Sequence, residues 1–128
     1  MSDTNFQEQF EAWLSASLAQ DAPPEVVAYS FNLFEYSRGV YGIELIGASE
    51  FDPDNLDWAC EEVWEPAPRM LDIPEDFCCG DWETCLRDTR SLLQRLLDKP
   101  TTAVARLKSS QAIAVGFVDG DLEIIWQR

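Results

Sequence analysis

Residues 26–36 read VVAYSFNLFEY and residues 40–47 read VYGIELIG, with Ser37-Arg38-Gly39 between them. Val27, Tyr29, Phe31 and Leu33 alternate with Ala28, Ser30, Asn32 and Phe34. A period of two belongs to a strand, whose successive side chains point to opposite faces. The aromatic and β-branched content favours the same state. The second stretch places Tyr41, Ile43 and Leu45 on one side and Glu44 on the other. A short turn ending in glycine joins the two most simply as a hairpin. The expectation from this pair is a sheet built of hairpins, and therefore antiparallel.

Upstream, residues 4–20 carry Phe6, Phe10, Trp13, Leu14 and Leu18 at helical spacing. Thr4 and Gln7 have the form of a capping box, and Pro23-Pro24 stops the helix. Downstream, Asp52-Pro53-Asp54-Asn55 has turn chemistry. Over Asp57–Glu65, Trp58, Cys60, Glu62 and Trp64 alternate, which favours a third strand with both tryptophans on one face; the competing reading is a short helix. Residues 66–80 hold Pro66, Pro68, Pro74 and Gly80 and read as a long loop. Asp81 to Asp98 forms a second helix, capped by Asp81 and ended by Lys99-Pro100. Its buried face is expected to be Trp82, Cys85, Leu86, Thr89, Leu92, Leu93, Leu96 and Leu97. Residues 101–108 fit a strand or a short helix. Residues 112–118 and 121–126 flank Asp119-Gly120, a strong hairpin signal. The expected fold is a single α+β domain over residues 1–128: an antiparallel sheet of four to six strands with two main helices, 4–20 and 81–98, on one face.

The chain is 46% hydrophobic and holds 15 aromatic residues, enough apolar mass for a packed interior. Its charge is lopsided, with 24 acids against nine bases and a formal net charge of −15. From Glu44 to Asp88 there are 14 acids and two bases, a net of −12, so most of the excess sits in the middle third. A field of that sign repels phosphate backbones and anionic lipid and attracts basic proteins. Direct nucleic-acid and membrane binding are therefore not expected. The plainer reading is that the acids form a solvated face that keeps the chain soluble. Residues 1–20 contain Asp3, Glu8 and Glu11 and lack the basic start and apolar run of a signal peptide, and no stretch is apolar enough to cross a bilayer. The expectation is a cytoplasmic protein with Cys60, Cys78, Cys79 and Cys85 reduced.

There is no histidine, which removes the commonest general base and zinc ligand and any Ser-His or Cys-His pair within the chain. No glycine-rich phosphate loop occurs. A carboxylate pair drawn from Asp52, Asp54, Asp57, Glu61 and Glu62 could in principle catalyse, but so many acids make a chance pair expected. Asp52, Asp54, Asn55 and Asp57 lack the glycine and spacing of a calcium loop and read as a side-chain-capped turn. Adjacent Cys78 and Cys79 cannot easily aim both sulfurs at one zinc ion. Separate roles are expected for the thiols: Cys85 in the helix core, Cys60 beneath the sheet, and Cys78-Cys79 in a loop. Neither a metal, a cofactor nor an enzymatic activity is expected.

Most of the five tryptophans should lie in the core. Trp58 and Trp64 also fit a second reading, because acids flank both, and aromatic anchors ringed by charge are typical of protein-binding hot spots. The expected partner-binding set is Asp52, Asp54, Asp57, Trp58, Glu61, Glu62, Trp64 and Glu65, with the acids steering Lys or Arg of a basic partner and the tryptophans supplying buried contact. In size, acidity and α+β pattern, the chain resembles the immunity proteins that bacteria pair with antibacterial toxins, with Phe51–Pro66 as the kind of acidic-aromatic segment they display. The resemblance implies a monomer or homodimer that neutralises a cognate toxin domain by stoichiometric binding. A variant of this mechanism has the acids imitate nucleic-acid phosphates. Two other classes stay open, an adaptor or chaperone-like binder with an exposed apolar groove, and a small enzyme.

Overall fold

The computed structural model describes residues 2–74, 77, 81–118, 120 and 122–128, and for residues 2–5, 36 and 56 the backbone alone. Cys78 and Cys79, and Asp119 of the expected turn, lie outside the described residues. The opening pair of stretches forms β1 (Ala28–Ser37) and β2 (Val40–Ala48), joined antiparallel through a turn in which Gly39 takes φ +75°. That left-handed conformation is the one glycine adopts without strain. The Gly39 N–H donates to the Glu35 carboxylate at 2.7 Å.

The helix α1 (Ser2–Leu18) begins upstream of Thr4, so the expected capping box does not mark its start. After β2 comes a 3₁₀ helix (Leu56–Cys60), then β3 (Glu62–Trp64) and β4 (Met70–Ile73). The helices α2 (Trp82–Leu97) and α3 (Thr102–Lys108) follow, and β5 (Ala112–Phe117) and β6 (Leu122–Gln127) close the chain. Asp81 and Thr101 cap α2 and α3 by accepting from the backbone N–H groups of Thr84 and Val104. The α+β class is as expected, with strand order β3-β2-β1-β5-β6 and β4 also alongside β2. The sheet is mixed rather than antiparallel, because β1 and β5 run parallel from the pair Ala28–Ala112 to Leu33–Phe117. The chain reaches that pairing through α2 and α3, as a parallel connection requires a crossover.

The helices pack on one face. Phe6, Phe10, Trp13 and Leu14 from α1, Leu92, Leu93 and Leu96 from α2, and Leu107 from α3 meet Tyr29, Phe31, Leu33, Ile43, Leu45, Ile113 and Val115 in one buried cluster. The helix-free face is lined by small or polar residues, with a second cluster of Ala28, Ile46, Ala48, Ala114 and Trp58. Cys85 is fully buried in α2 as expected, but it is disulfide-bonded, so the expectation of four reduced thiols fails there. Cys60 is a free, exposed thiol at the end of the 3₁₀ helix, not a residue beneath the sheet. No helix among the described residues is long and apolar enough to cross a membrane.

Candidate protein-binding surface

The segment after β2 is closed on itself by Ser49, whose backbone N–H donates to the Glu61 carbonyl at 3.0 Å. Inside this loop the turn chemistry read from the sequence is present. Asp52 accepts from the Asp54 N–H at 2.9 Å, and Asn55 accepts from the Asp57 N–H at 3.1 Å. Asn55 thereby caps a single 3₁₀ turn over residues that the alternation assigned to a strand. That turn rotates the two tryptophans apart, and the expectation that they share a face is overturned.

Trp58 is 3% exposed and lies on the helix-free face, edge to face with Phe51 at 5.4 Å. Ala28, Ala48 and Ala114 leave the room its indole occupies. Trp64 is 8% exposed and packs on the helix side, where its ring meets Tyr29 at 6.0 Å and its Nε1 donates to the Asp21 carbonyl at 2.9 Å. The Arg106 guanidinium sits 5.7 Å from the Trp64 ring and also donates to the carbonyls of Leu18 and Gln20 at the end of α1. Both tryptophans are therefore fold anchors, one on each side of the sheet, and neither offers a side chain to a partner.

All six acids of the expected set are exposed, and they divide into two groups. Glu62 and Glu65 surround Arg69 together with Glu44, at 2.5, 2.9 and 3.2 Å respectively. The hydrogen bonds that Arg69 donates to Glu62 and then to Glu44 hold its pKa above the ordinary value, outweighing the effect of desolvation. The track continues inward, since Asn32 donates to Glu44 at 3.1 Å and Ser30 donates to Asn32 at 2.7 Å. Two members of the expected binding set thus belong to an internal network tying β4 and β3 to β2 and β1. Asp52, Asp54, Asp57 and Glu61 make no ion pair among the described residues, and of these only Asp52 uses its carboxylate in a hydrogen bond. Together with Glu50, which is also exposed and in no ion pair among the described residues, these four are the free negative charge of the segment.

Within the expected segment Val63 is 42% exposed, and Met70 of β4 is 39% exposed, but the most exposed large apolar side chains lie elsewhere. Trp82 is 52% exposed and Val118 59% exposed, at the end of the sheet where β5 finishes. The helical spacing places Trp82 on the buried face of α2, and the structure does not. It occupies the first helical position after the Asp81 cap, too early in the helix to be carried over the sheet, and its ring meets that of Phe117, edge to face at 5.9 Å. The signal in the sequence is that position, one residue after the cap.

Comparison with protein-family models, curated proteins and solved structures finds no match to this chain. Among the described residues no group of cysteine and acidic side chains is arranged to hold a metal ion. Fold and surface together define an acidic α+β domain with an open carboxylate segment braced on both sides of its sheet.

Proposed function

We propose that this chain is a protein-binding inhibitor of the immunity type, which neutralises a basic toxin domain by stoichiometric docking of its acidic segment. The observation that carries the reading is the placement of Asp52, Asp54, Asp57 and Glu61. They stand exposed and free of internal cations on one short segment, which the buried Trp58 holds in place. Pre-organised like charges of this kind steer a basic partner and set its register without a large ordering cost on binding. The cytoplasm is the proposed setting, and a Cys85 disulfide that persists in cells would count against it.

The exposed Trp82 and Val118 also favour a second reading, an adaptor that escorts an effector by an apolar groove. Affinity capture from the source cells with mass spectrometry separates the two. The inhibitor reading expects one basic protein at equal stoichiometry, whose growth-arresting activity disappears in the complex. Recovery of several unrelated clients, or of an acidic partner, contradicts it. The informative variant is Asp54→Lys, Asp57→Lys and Glu61→Lys together, because none of these carboxylates supports the fold through a hydrogen bond. Reversing Glu62, a natural choice on sequence grounds, would instead break its contact with Arg69.

A further inference from the structure

β1 continues to Ser37, whereas its parallel partner β5 ends at Phe117, opposite Leu33. Among the described residues no strand lies beside Phe34–Ser37 on that side. Three adjoining grooves open around this step. The first, of about 350 Å³, is lined by Phe34, Glu35, Trp82, Phe117 and Val118. The second, of about 290 Å³, runs from Phe117, Val118 and Leu122 to Asp57 on the 3₁₀ helix. The third, of about 620 Å³, lies between Trp82, Leu86, Phe117 and Glu123. The Phe34 ring lies over Gly42, where a Cβ would come within 2.6 Å of it, so this wall is fixed by close packing.

Each groove combines apolar walls with a carboxylate, Glu35, Asp57 and Glu123 in turn, and no described lining residue is cationic. Among the described residues only Glu123 of these three is in an ion pair, with Arg90 at 2.8 Å. Asp81 adds to the field, since it and Glu35 both act on the buried Tyr41 hydroxyl, whose pKa is raised mainly by desolvation and further by these two charges. Exposed aromatic and aliphatic side chains in a rim dominated by acids have the make-up of an interface hot spot. The net charge of −15 opposes a second copy of the chain on this surface and favours a cationic occupant.

We infer that the step between β1 and β5 is the apolar anchor point of the acidic surface, and that it receives a segment of a basic protein in which a large apolar side chain is flanked by Lys or Arg. This deepens the proposed function and rests on it, replacing the buried Trp58 and Trp64 with Trp82, Phe117 and Val118 as the contact aromatics and aliphatics. Asp57 belongs to both parts, so a partner lying along the second groove touches the free acids and the anchor together.

The test is a titration of the full-length, isotopically labelled protein with three synthetic peptides, alternating Lys-Leu, Lys-Ser and Glu-Leu, followed by amide and indole chemical shifts. The Lys-Leu peptide should move the Trp82 indole and the Val118 and Glu35 amides, and Trp82→Ala or Val118→Ser should each weaken it roughly tenfold while the thermal melt stays cooperative. Because Val118 is more than half exposed, its variant tests the groove even where the Trp82 change loosens Phe117. Shifts confined to residues 52–61, or equal affinity for Lys-Ser, overturn the anchor while leaving the acidic segment as a binding surface. Equal binding of Glu-Leu, or a concentration-dependent dimer that covers Trp82, overturns the basic occupant. If neither cationic peptide moves any of these signals, the anchor and the acidic-surface reading fall together.

Discussion

Arg69 shows how one cation can organise an acidic neighbourhood. Its guanidinium meets Glu44, Glu62 and Glu65, with Glu44 the most sheltered at 17% exposure of its side chain. Removing it leaves three like charges facing one another, one of them largely desolvated. Arg69→Ala should cost about 1–2 kcal/mol, less than a buried pair would because the arginine is a third exposed. Denaturant melts check this, and Glu44→Gln in the same background should recover part of the loss as a positive coupling energy. The two central tryptophans make a paired prediction. Trp64 donates to the Asp21 carbonyl and lies beside Arg106, whereas the buried Trp58 Nε1 has no hydrogen-bond partner among the described residues. Exchange to phenylalanine removes the same ring volume from each but a hydrogen bond from only one, so Trp64→Phe should cost about 1 kcal/mol more than Trp58→Phe. Equal melting temperatures for the two variants would show that the bond contributes nothing. The sequence marks both residues as unusual because acids flank them. It does not say which way they point, since a single capped 3₁₀ turn at Asn55 changes the side every later residue faces.

Elements with a long, clean period are legible from their own residues. The apolar stripes of α1 and α2, the alternation of β1 and β2, and the Asp-Gly signal between the apolar runs of β5 and β6 depend on nothing distant in the chain. β4 is not legible in this way, because Met70–Ile73 is four residues long, bounded by prolines, and held by its pairing with Tyr41–Glu44 of β2. Nothing local to residues 70–73 distinguishes such a strand from loop. α3 is ambiguous for a related reason: seven residues barely cover two turns, and the Thr101 cap decides the matter. The cap of α2 yields a pH prediction. Asp81 accepts from the Thr84 N–H at 2.9 Å, and this bond lowers its pKa. A carboxyl whose folded pKa is depressed stabilises the fold above its ordinary value and loses that contribution as pH falls through the lowered one. The melting temperature of Asp81→Ala should therefore lie below that of the parent at neutral pH, and the gap should close under acid conditions. A gap independent of pH would mean that the charge of the cap has no part in it.

At the scale of the whole molecule, the parallel pairing of β1 with β5 joins residues more than eighty positions apart. Hairpin signals are local and cannot report it, which is why an antiparallel sheet is the natural expectation. The same long-range closure creates the step beside Phe34, so the apolar part of the surface is hidden from sequence reasoning while the acidic part is plain. A net charge of −15 opposes compaction, and added salt should raise the melting temperature by screening it. A fall with salt would mean that ion pairs such as those at Arg69 outweigh the global repulsion.

The central claim is that free carboxylates on residues 52–61 guide a basic partner onto the domain. Stopped-flow association with the purified partner, run across a salt series, measures this directly. The parent protein should associate fast at low salt and slow steeply as salt is added. The Asp54→Lys, Asp57→Lys, Glu61→Lys variant should associate on the order of 10–100-fold more slowly at low salt, with a much flatter salt dependence. Identical rates and identical slopes for the two proteins would contradict the account.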